Sequence, residues 1–293
     1  MIRYQNIEII EKENLAKYTT IGIGGDADYF IRVDDKLQLF SAIEWAQKNN
    51  LPITVLGRGS KTLISDKGIR GVVLVLAGMD SIVIDDRFVY VEAGASLIRL
   101  ANLAISRGLR GLEWAVGIPA SVGGALVMNA GAYGGSISDC VLSVEVYNGS
   151  SFETLANEDC DFSYRKSVFM QRPEYIITSA KLGLVPDKKE RLEQLAAEYK
   201  SKRAESQPSG KTLGSAFKKM KDGIAPGEIL DKAGLKGYTI GGAMISSEHA
   251  NFIINKGNAT CQDVLMLLEY MQEIIYQKTG MTPELEIRVL GEF

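Results

Sequence analysis

The chain has 293 residues, 46% hydrophobic and 24% charged, so it is long enough for two domains with a sizeable core. A formal net charge of −3 provides no basic field for nucleic acid, and a single histidine excludes a histidine-rich metal site, so we expect neither nucleic acid nor a metal. Three cysteines without CxxC spacing favour a reducing compartment, and no apolar signal region follows the N-terminus, so we expect a cytoplasmic protein.

The N-terminal segment combines a glycine-rich turn with a helix. Residues 18–30, YTTIGIGGDADYF, predict a turn that leads into a strand. A helix is predicted over residues 34–50, where an aspartate cap precedes Leu37, Phe40 and Ile43 at helical spacing. That spacing is typical of an amphipathic helix with a structural role.

A short loop rich in glycine and positive charge follows the next predicted strand. Its residues are Gly57, Arg58, Gly59, Ser60 and Lys61. Exposed backbone N–H groups beside a positive charge predict a clamp for a pyrophosphate. The loop lacks the GKT or GKS ending of a Walker loop and the GxGxxG order of a Rossmann turn, so neither an NTPase nor a dinucleotide-binding dehydrogenase is supported.

Short strands and helices alternate in the next stretch. Residues 72–76 predict a strand, and residues 82–84 and 88–92 flank three polar residues, DDR, as a hairpin would. A helix is predicted over residues 97–107. The mixture of short strands with helices on a sheet predicts an α+β fold.

Residues 111–139 contain a glycine-rich segment. Six glycines lie between Gly117 and Gly135, with no charged residue among them. Such a segment lets backbone N–H groups approach a large flat or phosphorylated ligand, so we interpret it as a cofactor cradle. A tight turn between packed elements is the alternative, and six glycines make it less apt. The candidate cofactor-binding residues are Gly117, Ile118, Pro119, Ser121, Gly123, Gly124, Asn129 and Gly131.

The C-terminal half offers an irregular segment, a connector and a second small sheet. Residues 161–169 lie between two predicted strands, and an arginine there, Arg165, is by default expected in a surface salt bridge. A charge-rich helix over residues 188–205 predicts a solvated connector, which places the domain boundary near residue 200. We therefore predict domains at 1–200, with lobes of about 1–80 and 81–200, and at 201–293.

The last domain contains one long helix between strands. That helix, predicted over residues 261–278, is interrupted by polar and charged residues, so we expect no membrane insertion. His249 precedes an apolar strand, and we interpret it as a satisfied structural residue. The strand over residues 285–290 completes a small α+β unit.

The motif GIPASVGGALVMNAGAYGG over residues 117–135 resembles the signature loop of the UDP-N-acetylenolpyruvoylglucosamine reductase family. The resemblance extends in order along nearly the whole chain, with further motifs near residues 18–30, 55–66, 91–96, 162–169, 206–218, 233–255 and 284–291. It implies an α+β fold in which a two-lobed FAD-binding domain of the vanillyl-alcohol-oxidase-like type is joined to a small α+β substrate domain. The lack of an extra tyrosine-bearing insertion resembles the shorter of the family's two types.

The resemblance also implies an activity and a site. The family uses noncovalent FAD and NADPH to reduce UDP-N-acetylglucosamine enolpyruvate to UDP-N-acetylmuramate in peptidoglycan synthesis. By the same resemblance, Arg165 of a YRxSxF motif would bind the substrate carboxylate, Ser215 would donate a proton to carbon, and Glu286 would assist. The implied substrate-binding residues are Tyr164, Lys218 and Arg288. The chain has Lys219-Met220 where Asn-Pro is common in the family.

Two other functions compete with this one. The first is a related FAD-dependent alcohol or sugar oxidase. Many such oxidases tether the flavin through a histidine in the phosphate-clamp loop, where this chain has Ser60-Lys61. The second is a non-catalytic UDP-sugar-binding relative, against which the joint presence of Arg165, Ser215 and Glu286 argues.

Overall fold

The computed structural model describes residues 1–293 and contains twenty strands and seven α-helices. The strands are β1 (Ile2–Tyr4), β2 (Ile7–Asn14), β3 (Asp26–Arg32), β4 (Ile53–Val55), β5 (Thr62–Ile64), β6 (Ile69–Val75), β7 (Ile82–Asp85), β8 (Phe88–Glu92), β9 (Leu109–Arg110), β10 (Gly131–Ala132), β11 (Gly135–Ser136), β12 (Val141–Tyr147), β13 (Phe152–Ala156), β14 (Ile176–Gly183), β15 (Val185–Pro186), β16 (Thr212–Ser215), β17 (Thr239–Ile240), β18 (Ala243–Ile245), β19 (Phe252–Asn255) and β20 (Arg288–Leu290). The helices are α1 (Lys36–Lys48), α2 (Leu97–Ser106), α3 (Val122–Val127), α4 (Val168–Gln171), α5 (Lys189–Ser206), α6 (Pro226–Lys232) and α7 (Cys261–Thr279).

The strands form three larger sheets and three two-stranded pairs. The larger sheets have the orders β1-β2-β3-β6-β4, β13-β12-β14-β8-β7 and β16-β19-β18-β17, and the pairs are β10-β11, β15-β9 and β20-β5. None of the helices combines the length and the apolarity that a membrane crossing needs. Helices and mainly antiparallel strands of this kind make an α+β fold.

The chain divides into two compact units. The first unit comprises residues 1–9, 31–58 and 74–203, and the second comprises residues 10–30, 59–73 and 204–293. Each unit is therefore built from three separate stretches of chain, and the last passage between them follows Arg203. The contiguous division into residues 1–200 and 201–293 stays a prediction.

The first unit contains the antiparallel sheet β13-β12-β14-β8-β7. The hairpin predicted from the sequence is confirmed, since β7 pairs with β8 and Asp85 lies opposite Phe88. Asp86 in its two-residue turn has a φ of 54°, as the tight hairpin turns require. Helix α2 begins at Leu97 and is capped by Ser96, whose side chain accepts from the backbone N–H of Arg99.

Helix α1 of the first unit begins where the sequence predicts but buries a different face. Asp35 caps it by accepting a 2.8 Å hydrogen bond from the backbone N–H of Gln38. Leu37 and Phe40, two of the three apolar residues noted at helical spacing, are 74% and 52% exposed. The buried positions are Leu39, Ser41, Ala42, Ile43, Trp45 and Ala46. The two large side chains at the exposed positions mimic the periodicity of the buried stripe.

The second unit is organised around helix α7 and the sheet β16-β19-β18-β17. Thr260 and Asp263 form a capping box at the start of α7, and Gly280 with a φ of 71° ends it, so the predicted helix is confirmed. Val264, Leu268 and Met271 on the apolar side of α7 pack in one buried cluster with Leu213, Ile245 and Ile253 of the sheet and with Phe217. The strand predicted over residues 285–290 is formed only at Arg288–Leu290, where β20 pairs in parallel with β5.

Candidate active site

Two other stretches of the first unit, Gly57 and residues 93–96, meet the glycine-rich segment. A Cβ added to Gly57 would lie 2.7 Å from the Ser121 Oγ, so the first residue of the predicted clamp lies against the glycine-rich segment. Residues 93–96 reach the same segment, because the N–H groups of Val122 and Gly123 donate to the carbonyls of Ala95 and Ala93 at 2.9 and 2.8 Å. The chain therefore brings together backbone with few side chains, which fits the close approach that a large flat cofactor needs.

Many backbone N–H groups of the glycine-rich segment bind the chain itself. Those of Ile118, Ala120, Val122 and Gly123 donate to backbone carbonyls, and that of Gly124 donates to Ser121 Oγ at 3.2 Å. Glycine is therefore needed here in part because two stretches of backbone of the same chain pack directly against each other. Gly117 and Pro119 are exposed, Ser121 and Asn129 are buried, and Ile118, Gly123, Gly124 and Gly131 are half-buried.

The connector helix α5 packs on the glycine-rich segment. The rings of Tyr133 and Tyr199 are stacked at a centroid distance of 4.4 Å, and the Tyr133 hydroxyl donates to the Tyr199 carbonyl at 3.3 Å. Arg203 lies beside Gly117, and burial lowers the pKa of its guanidinium. The expectation that this helix is only a solvated connector is thus incomplete, since one side of it covers part of the segment.

The predicted pyrophosphate clamp is divided between the two units. Gly57 and Arg58 belong to the first and are exposed, whereas Gly59, Ser60 and Lys61 belong to the second. Gly59 is buried with a φ of 61°, and a Cβ there would overlap the Tyr18 carbonyl oxygen. Its glycine is therefore required by the packing of the chain.

Arg165 of the first unit lies at the tip of a tight turn. Ser163 and Lys166 exchange two backbone hydrogen bonds of 3.1 Å, and Arg165 between them has a φ of 54°. Its Nη2 donates to the Gly131 carbonyl at 2.9 Å, and its guanidinium lies 5.1 Å from the ring centre of Tyr164, which is 53% exposed. The arginine expected by default in a surface salt bridge is thus held on the glycine-rich segment.

Two further hydrogen bonds attach the same turn to that segment. The Asn129 amide donates from Nδ2 to the Ser163 carbonyl at 2.9 Å, and the fully buried Ser167 donates from Oγ to the Val127 carbonyl at 2.7 Å. Asn129, predicted to contact the cofactor, therefore uses its side chain to hold the arginine-bearing turn. The serine of the YRxSxF motif has the same anchoring role.

In the second unit, the strand-like segments that carry Ser215 and Glu286 run side by side. Ser215 ends β16 opposite Phe252, and the Glu286 N–H donates to the Ala216 carbonyl at 2.8 Å. Phe217 and Leu285 form an antiparallel bridge next to this contact. Glu286 is only 8% exposed, so its carboxylate is held inside the unit.

Lys61 joins these two residues through its side chain. Its Nζ donates to the Ser215 carbonyl at 2.7 Å and lies 3.0 Å from Glu286 Oε1. Gly214, with a φ of 69°, allows this approach, because a Cβ there would lie 3.2 Å from the ammonium. The second unit therefore assembles a cation, a buried carboxylate and a serine from three separate stretches of chain.

The predicted substrate-binding residues of the second unit lie on the same two segments. Lys218 Nζ lies 3.0 Å from Glu284 Oε2, and the Lys218 N–H donates to the Glu284 carbonyl. Arg288 begins β20 with an exposed side chain, and its N–H donates to the Lys61 carbonyl at 2.8 Å. Lys218 thus follows Ser215 in the sequence, and Arg288 follows Glu286, so both cations belong to segments that carry the proposed catalytic residues.

Sequence reasoning missed Asn251, which binds the segment after Ser215 through hydrogen bonds to Ala216 and Phe217. Its side-chain amide accepts from the Phe217 N–H at 3.1 Å and donates to the Phe217 carbonyl at 2.9 Å, while its own carbonyl accepts from Ala216. An amide inside the apolar run ANFII is a signal of a buried, hydrogen-bonded side chain. His249 has the structural role expected, since its Nδ1 accepts from the Asn251 N–H at 3.1 Å.

Comparison with known proteins adds the class and then the family. Residues 27–151 match the family of FAD binding domains, and residues 206–290 match the family described as UDP-N-acetylenolpyruvoylglucosamine reductase, C-terminal domain. The fold is therefore that of an FAD-binding oxidoreductase, and the α+β class predicted from the sequence is confirmed.

Similar proteins match almost from end to end. UDP-N-acetylenolpyruvoylglucosamine reductase of Caldanaerobacter subterraneus subsp. tengcongensis is 40% identical over 96% of this chain and 93% of the relative, and that of Latilactobacillus sakei subsp. sakei is 40% identical over 98% and 95%. The crystal structure of the Thermus caldophilus reductase superposes with a TM-score of 0.83 at 36% identity, covering 98% of this chain and 99% of that one. The chain belongs to the UDP-N-acetylenolpyruvoylglucosamine reductase family, as its motifs predict.

Proposed function

We propose that this chain catalyses the NADPH-dependent reduction of UDP-N-acetylglucosamine enolpyruvate to UDP-N-acetylmuramate in peptidoglycan precursor synthesis. The observation that carries the proposal is the match to reductases of this name at 40% identity over 96–98% of the chain. A match of that extent includes both the FAD-binding domain and the C-terminal domain. We propose a cytoplasmic location because all three cysteines are buried and unpaired, which suits a reducing compartment.

Arg165 is proposed to bind the carboxylate of the enolpyruvyl group. When bound, FAD supplies the hydride for the reduction and is itself reduced by NADPH. As the double bond accepts hydride, its electron pair moves to the carbon next to the carboxylate and onto the carboxylate oxygens. A planar guanidinium that binds those oxygens stabilises the added charge. The hydrogen bond from Arg165 to Gly131 supports this role, because it fixes one end of the guanidinium.

Ser215 is proposed to donate the proton that completes the reduction. A serine hydroxyl is a weak acid, so it needs charged neighbours that favour release of its proton. Lys61 and Glu286 provide a cation and a carboxylate beside the Ser215 main chain, which supports the assignment. Glu286 is proposed to assist the transfer. Tyr164, Lys218 and Arg288 are proposed to bind other parts of the UDP-sugar.

The experiment that tests the proposal follows the flavin absorbance without oxygen. The purified protein is reduced with NADPH under anaerobic conditions, and UDP-N-acetylglucosamine enolpyruvate is then added. We expect the yellow colour to bleach in the first step and to return in the second, with UDP-N-acetylmuramate as the product. UDP-N-acetylglucosamine, which lacks the enolpyruvyl group, is the control and should restore no colour.

The competing functions give different results. A related oxidase would be bleached by an alcohol or sugar and would regain its colour when oxygen is admitted, but the enolpyruvyl nucleotide would not restore it. A protein that purifies without flavin and binds none would contradict the proposal and favour a non-catalytic relative.

A further inference from the structure

We propose that Lys61 is a positioning residue that holds Glu286 and the Ser215 segment in place, and not a phosphate ligand of the clamp loop. The inference rests on the proposed function for the roles of Ser215 and Glu286. It reassigns the lysine that the sequence pattern places in a pyrophosphate clamp. The side chain of this lysine is directed to the proton-transfer group of the second unit instead.

The contacts of the ammonium group carry the proposal. Lys61 Nζ donates to the Ser215 carbonyl at 2.7 Å and lies 3.0 Å from Glu286 Oε1, both within the range of strong charge-assisted hydrogen bonds. The side chains of Lys61 and Glu286 are 26% and 9% exposed, so solvent screens the pair weakly. An ammonium held by a carbonyl and a buried carboxylate is less available to a phosphate.

The surrounding backbone is built to receive this ammonium. Gly214 lies beside it, with a φ of 69° and only 3.2 Å between the position of a Cβ and Nζ. A side chain at residue 214 would be strained at this φ and would push the ammonium aside by a few tenths of an ångström. The absence of one in the strand-end segment just before Ser215 is an observation independent of the ion pair.

Backbone hydrogen bonds also hold the two residues of the ion pair, Lys61 and Glu286, in place. The Lys61 carbonyl accepts from the Arg288 N–H at 2.8 Å, and the following residues pair in parallel as β5 with β20. Lys61 therefore directly precedes β5, and Glu286 lies just before its partner strand β20. The Glu286 N–H in turn donates to the Ala216 carbonyl. Because proton transfer depends steeply on distance and direction, a loss of the lysine should affect proton donation more than flavin binding.

The test uses Lys61→Met, which keeps most of the side-chain length and removes the charge. Lys236→Met is the matched control, since Lys236 forms an exposed pair with Asp231 in the same unit. Three quantities are measured for each holoenzyme: the dissociation constant of FAD, the rate of flavin reduction by NADPH, and the rate of reoxidation by UDP-N-acetylglucosamine enolpyruvate. We expect Lys61→Met to slow only the reoxidation, by roughly 10²-fold, and Lys236→Met to change none of them.

A double-mutant cycle shows whether Lys61 acts through Glu286. If it does, Lys61→Met and Glu286→Gln together should slow reoxidation less than the product of their separate effects. The double variant removes both charges. It can therefore still be compared with Glu286→Gln if Lys61→Met fails to fold because the Glu286 carboxylate is left unpaired. Independent effects of the two substitutions would overturn the proposal.

Flavin binding separates this proposal from the proposed function. A large loss of FAD affinity in Lys61→Met, with reoxidation unchanged once FAD is saturating, would return Lys61 to the phosphate clamp. If the wild-type protein itself is not reoxidised by the enolpyruvyl nucleotide, the proposed function fails. The position of Lys61 is then still decided by the FAD dissociation constant and by the same cycle measured on urea unfolding.

Discussion

The guanidinium of Arg165 donates from Nη2 to the carbonyl of Gly131 at 2.9 Å. This bond connects the tip of a left-handed turn to the glycine-rich segment, and Asn129 and Ser167 attach the same turn on either side. The segment that fits a flat cofactor is therefore also the support of the candidate carboxylate ligand. A change in either one is expected to move the other.

We predict that Arg165→Lys strongly impairs reduction of the enolpyruvyl nucleotide although the charge is kept. An ammonium cannot bind the Gly131 carbonyl and a carboxylate with the geometry of a planar guanidinium. Hydrogen bonds to charged groups contribute about 1.5–3 kcal/mol, so kcat/KM should fall about 10- to 100-fold. Flavin reduction by NADPH should be much less affected. Steady-state and stopped-flow rates measure both effects.

The matched control is Arg99→Lys, because Arg99 forms an exposed pair with Asp80 in the same unit. It should leave both rates unchanged. Wild-type turnover in Arg165→Lys would mean that the arginine is a surface residue without contact to substrate.

We predict that FAD is bound noncovalently. No cysteine or histidine lies in residues 57–61 or 117–135. Burial is the main reason that the thiol pKa of Cys140 rises to about 12, that of Cys160 to about 11 and that of Cys261 to about 12, so none provides a thiolate near neutral pH. Acid precipitation should leave the yellow colour in the supernatant. A yellow pellet would show a covalent tether.

Much of this fold is predictable because its signals are local. The Asp35 cap of α1, the two-residue turn before β8 and the capping box of α7 each depend on a few neighbouring residues. Which helix face is buried depends on distant partners, so the apolar spacing of Leu37 and Phe40 was misleading. Local patterns therefore predict where elements begin more reliably than how they pack.

The candidate site is predictable only in its parts. The motifs identify Arg165, Ser215 and Glu286 one at a time, but nothing in the sequence indicates that Lys61 contacts the last two. That contact depends on the parallel pairing of β5 with β20, whose members are more than two hundred residues apart. Lys218, three residues after Ser215, lies 3.0 Å from Glu284 instead.

We predict that Asp263→Asn lowers stability at pH 7 and lowers it progressively less as the pH falls below 3.8. The backbone N–H of Thr260 donates to this carboxylate and holds the pKa of Asp263 below its ordinary value of 3.8. A lowered pKa in the folded state stabilises the fold above the unfolded value, and the stabilisation is lost as the pH falls through the folded value. The loss at pH 7 should be about 0.3–1 kcal/mol, because asparagine keeps an acceptor oxygen and loses only the negative charge near the helix N-terminus.

Urea unfolding at pH 7 and at pH 3 measures this difference. Glu269→Gln is the matched control, because Glu269 is exposed in the middle of α7 and far from its cap. Equal destabilisation of Asp263→Asn at both pH values would contradict the assigned role of the carboxylate.

We predict that Ser215→Ala separates the two half-reactions. Hydride transfer from NADPH to FAD requires no proton from Ser215, so the variant should still bleach with NADPH. Reoxidation by the enolpyruvyl nucleotide requires a proton at the carbon next to the carboxylate. General acid catalysis contributes about 10²–10⁴-fold, so reoxidation should slow by about that factor. Stopped-flow absorbance under anaerobic conditions measures both steps.

Two further variants distinguish proton donation from a structural role of Ser215. Ser215→Cys should retain more activity than Ser215→Ala, because a thiol also donates a proton. Ser247→Ala, an exposed serine of the same unit, should change neither step. The contact of Lys61 is with the Ser215 carbonyl, which every one of these variants keeps, so the backbone should remain in place. If Ser215→Ala slows both half-reactions equally, the serine supports the fold or the flavin, and another group must donate the proton.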